Sequence, residues 1–241
     1  MRKKIFNLLA AVVLAATASV GVSASDTSDK SSKAAQSVRV PVNLAVLVQD
    51  DLVSRVGNEL SVTRDFIRSL PEGSQVMVAY VTTGSLQVRQ GFTTDLGRAA
   101  AALRVPVGST SASPYNPYVE VREGLKLFPA AGRNVNAMLL ISDGLDTSRG
   151  FDFATSVKSI DLERAISEAG RRGVAVYSFY APTAGLTSYN RTAANYGQSA
   201  LKRLSDATGG RAFTQGTSFV SFDPYFRELS RAINAQHGGA R

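Results

Sequence analysis

The 241-residue sequence contains no cysteine and a single histidine, His237. Disulfide bonds, thiol catalysis and a lipid-modified cysteine are therefore excluded. A domain of about 200 residues buries a sufficient core without such cross-links. His237 lies in a glycine-rich end of the chain, which predicts a disordered tail over residues 237–241 and no catalytic role for the imidazole.

Motifs on which many enzymes depend are also missing. The sequence has no Gly-x-Ser-x-Gly elbow, no glycine-rich phosphate loop and no Asp-x-Asp pair after its first apolar strand. The formal net charge is +8, but the basic residues are scattered and do not form a stripe interleaved with aromatic residues. These absences predict that the protein is not an enzyme and that it does not bind nucleic acid.

The first residues have the pattern of a secretory signal. A basic cluster over residues 2–4 precedes an apolar run over residues 6–22 and the small residues Ser23 and Ala24. A membrane span needs about 20 strongly apolar residues, and polar residues dilute this run. We therefore predict a signal peptide over residues 1–24, export to the periplasm or the extracellular space, and no membrane span after cleavage. Retention of the segment as an anchor is the alternative.

A polar linker is predicted over residues 25–38, followed by one domain over residues 39–236. Within the domain, patterns typical of strands alternate with helical periodicity. Strands are predicted at 43–49, 75–82, 85–92, 136–142, 174–180 and 211–214, and helices at 53–70, 95–103, 118–128, 159–172, 198–208 and 224–235.

This alternation predicts an α/β fold: a Rossmann-like three-layer sandwich with a mostly parallel central sheet and helices on both faces. The strands on either side of Gly84 read as a hairpin, so one antiparallel strand is expected at an edge. Residues 43–49 and 136–142 are the most apolar strands, and we expect them to be neighbours at the sheet centre. Ligands of such sheets bind outside the carboxyl ends of the strands.

A carboxylate follows each of these two strands: Asp50 after the first, and Asp143 after the other within Ser142-Asp143-Gly144. Like charges at one crevice raise each other's pKa unless a cation or a proton lies between them. A hard divalent ion, coordinated by carboxylates, hydroxyls and waters, meets this requirement. The sequence therefore predicts a divalent metal site at the strand ends.

These residues resemble the von Willebrand factor A domain family, in particular its bacterial secreted branch. The resemblance rests on the segments Asp50–Ser54, Leu139–Gly144 and Leu162–Tyr180, and it extends over residues 39–235. It implies a domain that binds a partner protein. In this family an acidic side chain of the partner completes the coordination of an ion in a metal-ion-dependent adhesion site.

The resemblance also implies the ligands of that ion. Asp50 matches the first aspartate of the motif, Ser54 its second serine, and Asp143 the aspartate that follows the fourth strand. A hydroxyl from the loop over residues 107–118 completes the set, and Ser113 fits best by its distance to the next helix.

The match to the motif is incomplete. Leu52 stands in the place of the first serine and cannot bind a metal. Thr110 competes with Ser113 as the hydroxyl ligand. The cofactor implied is Mg²⁺, with Mn²⁺ or Ca²⁺ as alternatives, and the loss of one ligand is expected to weaken or abolish its binding.

Structural roles compete with each of these assignments. Asp50 and Asp51 are good residues to cap the helix that follows, and Asp143 is a common turn residue before glycine. The aromatic residues at 115 and 118 and the polar loop over residues 183–196 fit either a recognition surface or an ordinary connection.

Three functions remain open at this point. The first is a protein-binding module that depends on a divalent cation. The second is a metal-free interaction scaffold of the same fold, which the substitution at Leu52 favours. The third is a metal-assisted or aspartyl-phosphate hydrolase in which Asp50 is the nucleophile.

Overall fold

The two most apolar strands lie side by side and in parallel at the centre of a six-stranded sheet. These strands are Val42–Gln49 and Val135–Ser142, and all eight residues of the first are buried. A strand that is covered on both faces is apolar at almost every position. The prediction that these strands are central neighbours is therefore confirmed.

The computed structural model describes residues 38–53, 56–130, 132–150, 159–214 and 221–238. The predicted signal peptide lies outside this range, as does all of the predicted linker except Val38, which is buried in the core. Within these ranges no helix combines the length and the apolar character needed to cross a membrane. The elements follow in the order β1 (Val42–Gln49), α1 (Val56–Arg68), β2 (Gln75–Thr82), β3 (Ser85–Thr93), α2 (Leu96–Ala101), α3 (Pro117–Lys126), β4 (Val135–Ser142), α4 (Ile160–Arg172), β5 (Ala175–Tyr180), α5 (Arg191–Ala207), β6 (Ala212–Phe213) and α6 (Asp223–Gly238).

The strand order across the sheet is β3-β2-β1-β4-β5-β6. All neighbours are parallel except β2 and β3, which form an antiparallel hairpin at one edge. Alternate residues of β1 face opposite sides of the sheet. Leu44, Val46 and Val48 pack with α1, α2 and α6, and Ala45 and Leu47 pack with α3, α4 and α5. The predicted three-layer sandwich with one antiparallel edge strand is confirmed.

Two helices are longer than the sequence predicts. Helix α5 begins at Arg191 rather than at residue 198, because the Asn190 side chain accepts a hydrogen bond from the backbone N–H of Ala193 at 3.0 Å and caps the helix. The buried face of its first turn consists of alanine, which gives only a weak apolar period. Helix α6 continues to Gly238, past its predicted end at residue 235, so the first two residues of the predicted disordered tail are helical.

Two glycines bring helix α5 against the end of β4. Gly144 has a φ of +69°, and a Cβ there would lie 2.4 Å from Leu201 Cγ. A Cβ on Gly197 would lie 1.9 Å from the backbone oxygen of Asp143. Side chains cannot occupy these positions without a shift of the backbone. The helix therefore fixes the segment that carries Asp143.

We expect Gly197→Ala to destabilise the protein by about 1–3 kcal/mol, because the new methyl group overlaps the Asp143 carbonyl and one backbone must move. Gly170→Ala is the matched control, since Gly170 also lies within a helix but has open space around it. There, alanine should stabilise by up to about 1 kcal/mol. Urea unfolding of both variants measures the difference. Equal stability of the two would show that α5 does not hold the Asp143 segment tightly.

Candidate functional site

Four loops meet at the carboxyl ends of the central strands and are joined by backbone hydrogen bonds. The N–H of Gly108 donates to the carbonyl of Asp50 at 3.0 Å, and the N–H of Ala184 donates to the carbonyl of Asp51 at 2.8 Å. The N–H of Thr147 donates to the carbonyl of Tyr115 at 2.7 Å. The loops that follow β1 and β4 are thereby tied to the loops before α3 and α5.

Asp50 pairs with Arg104. Its two carboxylate oxygens accept hydrogen bonds from the two terminal nitrogens of the Arg104 guanidinium at 2.6 and 2.7 Å. The backbone N–H of Val107 adds a third at 3.0 Å. Burial alone would raise the pKa of Asp50, but these hydrogen bonds and the positive charge outweigh it, and the pKa is lowered. Asp50 is therefore a charged residue that holds the loop before α3.

Asp51 and Asp143 are joined by the side-chain amide of Gln49, the last residue of β1. Gln49 Nε2 donates to Asp51 Oδ1 at 2.8 Å and to Asp143 Oδ1 at 3.1 Å. Gln49 Oε1 accepts from the Ser142 hydroxyl and from the backbone N–H of Asp143 at 3.3 Å. These donors fix the orientation of the amide, since a flipped amide would turn its NH₂ group towards a backbone N–H. A neutral side chain thus bridges two buried carboxyl groups.

Asp143 accepts hydrogen bonds on both oxygens and is 5% exposed. Its Oδ1 accepts from Gln49 and, at 3.1 Å, from the backbone N–H of Leu145. Its Oδ2 accepts from the hydroxyls of Thr183 at 3.2 Å and Thr187 at 2.9 Å. The hydrogen bond from the Leu145 N–H closes a turn. Asp143 is therefore a turn residue, which was one reading of the sequence, and it is also a member of the buried cluster.

The two bridged carboxyl groups resist ionisation. Burial raises the pKa of Asp143 to about 6, the charge of Asp51 adds to this effect, and the hydrogen bonds oppose it in part. Burial likewise raises the pKa of Asp51, which is 0% exposed. Asp51 Oδ2 is buried and accepts no hydrogen bond from the described residues. The cluster therefore has a surplus of negative charge and of acceptors.

The predicted metal ligands do not all lie together. Asp143 is in the cluster, and the Ser113 hydroxyl lies close enough to Asp51 to oppose in part the burial that raises the pKa of Asp51. Asp50 is held by Arg104 instead, and Asp51 has the position that the sequence analysis gave to Asp50. Ser54 lies outside the described residues. Leu52 is fully buried, and its backbone forms an isolated antiparallel β-bridge with Thr183.

The cluster does not fit a divalent ion. An ion shared by Asp51 and Asp143 would have to lie where the Gln49 amide donates to both. An amide N–H repels a cation, and the carbonyl end of this amide is committed to two other donors. Over the described residues, no group of three or more His, Cys, Asp or Glu side chains is placed to hold a metal.

A groove of about 300 Å³ opens above the cluster, and Gln49 and Asp143 form part of its floor. Its walls and rim include four hydroxyl-bearing residues and two tyrosines: Thr110, Ser113, Thr147, Thr183, Tyr115 and Tyr189. The two tyrosines are 64% and 78% exposed. Thr110 and Ser113, the two candidates for the hydroxyl ligand, therefore line the same groove.

Sequence reasoning missed Gln49, Asp51 and the threonines of the loop after β5. One signal was available. Successive side chains of a strand point to opposite faces of the sheet, so residues two positions apart lie on the same face. Gln49 is a polar residue in an otherwise apolar strand, and Asp51 is its neighbour by that rule. Nothing in the sequence indicated the distant partners Thr183 and Thr187.

Asp143→Asn should stabilise the protein near neutral pH. Burial raises the pKa of Asp143 in the folded protein to about 6, above the ordinary value of 3.8 for an aspartate, so the favourable contribution of Asp143 is present at low pH and is lost as the pH rises through 6. Asparagine keeps an acceptor for Gln49 and removes the buried charge. We expect a gain of roughly 1–3 kcal/mol over wild type at pH 7.5 and little gain at pH 4.

Urea unfolding at the two pH values measures this gain. Asp206→Asn, which removes an exposed carboxylate from α5, is the matched control and should change stability by less than about 0.5 kcal/mol at both. A loss of stability in Asp143→Asn that is larger at pH 7.5 than at pH 4 would contradict the proposed charge balance.

No family model matches this sequence, and no curated protein matches it. Solved structures do resemble its fold. A variant, with multiple mutations to serine, of an aerotolerance-related membrane protein from Bacteroides fragilis aligns with a TM-score of 0.57 and 10% identity, over 80% of this chain and 99% of that one. The conserved hypothetical protein BatB from Bacteroides thetaiotaomicron aligns with a TM-score of 0.56 and 13% identity, over 82% and 99%.

The VWA domain of SpRpn10 aligns with a TM-score of 0.45 and 13% identity, over 80% of this chain and 95% of that one. Sequence identities at this level establish the fold alone. The predicted resemblance is confirmed at that level: the chain has the α/β fold of von Willebrand factor A domains.

Proposed function

We propose that this protein is an exported protein-binding module that binds its partner through the groove at the strand ends, without a divalent ion. The observation that carries the proposal is the groove of about 300 Å³ with two exposed tyrosines on its rim. The fold supports the general function of a protein-interaction domain. The N-terminal sequence pattern supports export.

The rim has two residues typical of a contact surface. Tyr115 and Tyr189 are large side chains that line the groove and are mostly exposed. Tyrosine is enriched where proteins bind one another, because it supplies a large rigid area and a polar group. Loops on a rigid sheet are the usual place for such residues.

The Gln49 bridge favours the metal-free version of this function over the metal-dependent version. It supplies two donors to the carboxyl groups that a cation would otherwise neutralise. The pairing of Asp50 with Arg104 removes another predicted ligand. Binding of Mg²⁺, Mn²⁺ or Ca²⁺ at Asp50, Ser54, Ser113 and Asp143 remains the competing hypothesis, and it predicts that a chelator abolishes partner binding.

A hydrolase with Asp50 as the nucleophile receives no support from this geometry. Both carboxylate oxygens of Asp50 are hydrogen-bonded to Arg104, and the pKa of Asp50 is lowered. A nucleophilic carboxylate needs a free oxygen that faces its substrate. The groove contains Asp143 instead, which is bound on both oxygens.

The rim should be required for capture of the natural partner. The purified chain, immobilised, is exposed to extract of its source cells in EDTA and, in parallel, in millimolar Mg²⁺, and retained proteins are identified by mass spectrometry. Wild type should retain the same partner in both buffers. The double variant Tyr115→Ala, Tyr189→Ala should retain at least about tenfold less, since two large aromatic contacts together contribute more than about 1.4 kcal/mol.

Leu127→Ala is the matched control, because Leu127 is an exposed apolar residue at the other end of α3, and it should bind like wild type. Equal retention by the double tyrosine variant would show that the rim is not the binding surface. Loss of the wild-type partner in EDTA would favour the metal-dependent hypothesis.

A further inference from the structure

The groove above the Gln49 bridge is negative and carries no cation of its own. Among the described residues that line it, Asp143 is the one charged side chain. Asp51 lies beside it beneath the surface. The guanidinium of Arg104 is committed elsewhere: it binds both oxygens of Asp50 and lies over the Tyr80 ring, 4.1 Å from its centre.

The polar groups of the floor are bonded among themselves. The hydroxyls of Thr183 and Thr187 donate to Asp143 Oδ2 at 3.2 and 2.9 Å, and the backbone N–H of Gly185 donates to the Thr183 hydroxyl at 3.2 Å. These bonds hold the carboxylate in place without a cation. The charge of Asp143 therefore acts on a ligand in the groove through space, and in a partly buried site this attraction is stronger than in water.

The tyrosines of the rim suit the same kind of ligand. Tyr115 and Tyr189 both line the groove and are both mostly exposed. The face of an aromatic ring attracts a cation, and a guanidinium group also stacks on it. A guanidinium group also carries the positive charge that the buried carboxyl groups lack.

We propose that this groove binds the side chain of an arginine on the partner protein, with the guanidinium group between the rim tyrosines and above Asp143. This inference rests on the proposed function and specifies the chemistry of the partner. It reverses the charge implied by the family resemblance. An acidic partner side chain needs a metal ion to receive it, whereas here Asp51 and Asp143 would repel it.

A peptide titration tests the arginine subsite without knowledge of the partner. Backbone amide resonances of the full chain are followed while Ac-Gly-Arg-Gly-NH₂ is added, in chelator and at low salt. We expect saturable shifts of the amides of Thr183, Gly185 and Leu186, which lie along the groove. The peptides with citrulline or glutamate at the central position should produce no saturable shift, because citrulline has the shape of arginine without its charge.

Two variants locate the binding. Asp143→Asn removes the charge and should abolish the saturable shifts, while its melting temperature shows that it is folded. Tyr189→Ala should weaken binding by about two- to fivefold, the size of an exposed cation–π contact, and Leu127→Ala should leave it unchanged. Lysine in place of arginine should bind more weakly, because an ammonium group does not stack.

Equal binding of the arginine and citrulline peptides, unchanged binding in Asp143→Asn, or the absence of saturable shifts at ten millimolar peptide would each overturn the arginine subsite. These results can be told apart from the result expected if the proposed function is wrong. If the natural partner is captured through the rim but the arginine peptide does not bind, only the charge assignment is wrong. If no rim-dependent partner exists, the capture experiment fails whatever the peptide does.

Discussion

The hydrogen bonds from one glutamine amide to two buried carboxyl groups are the interaction on which this end of the molecule depends. Asp51 and Asp143 follow neighbouring strands, and the parallel sheet forces them together. Two buried charges so close need a compensating positive group. The Gln49 Nε2 supplies its two hydrogens, and the raised pKa values show that this compensation is only partial. The surplus of negative charge is what the groove offers to a ligand.

The rest of the site is arranged around that bridge. Asp50 and Arg104 hold the loop before α3, Thr183 and Thr187 tie the loop before α5 to Asp143, and Gly197 lets α5 approach the same segment. The floor is therefore rigid and well hydrogen-bonded, while the tyrosines at the rim remain exposed. This combination is typical of a preformed binding surface, in which little conformational entropy is lost on binding.

The sequence was sufficient to predict the fold because its signals are local. Continuous apolar strands predicted a buried parallel sheet, and Ser159 and Gly173 marked the two ends of α4, where Ser159 caps Leu162 and Gly173 has a φ of +60°. The site was only partly predictable, because it depends on the side to which each residue points. Asp50 was chosen over Asp51 because it matches the first aspartate of the family motif, although the alternation of side chains from Gln49 points to Asp51. The bonds of Asp50 to Arg104 and of Asp143 to Thr187 join residues far apart in sequence, which no local pattern encodes.

The most direct test of the amide bridge is the melting temperature of the wild-type chain, measured after chelation and again after Mg²⁺, Mn²⁺ or Ca²⁺ is restored to about 5–10 mM. The variant Asp143→Asn is measured in the same way. An ion that binds only the folded state at a hundred times its dissociation constant adds about 2.7 kcal/mol, a shift of several degrees. If Gln49 takes the place of the cation, neither protein responds to any of the three ions. A rise in the wild type that is absent from Asp143→Asn would contradict the account and restore the metal site.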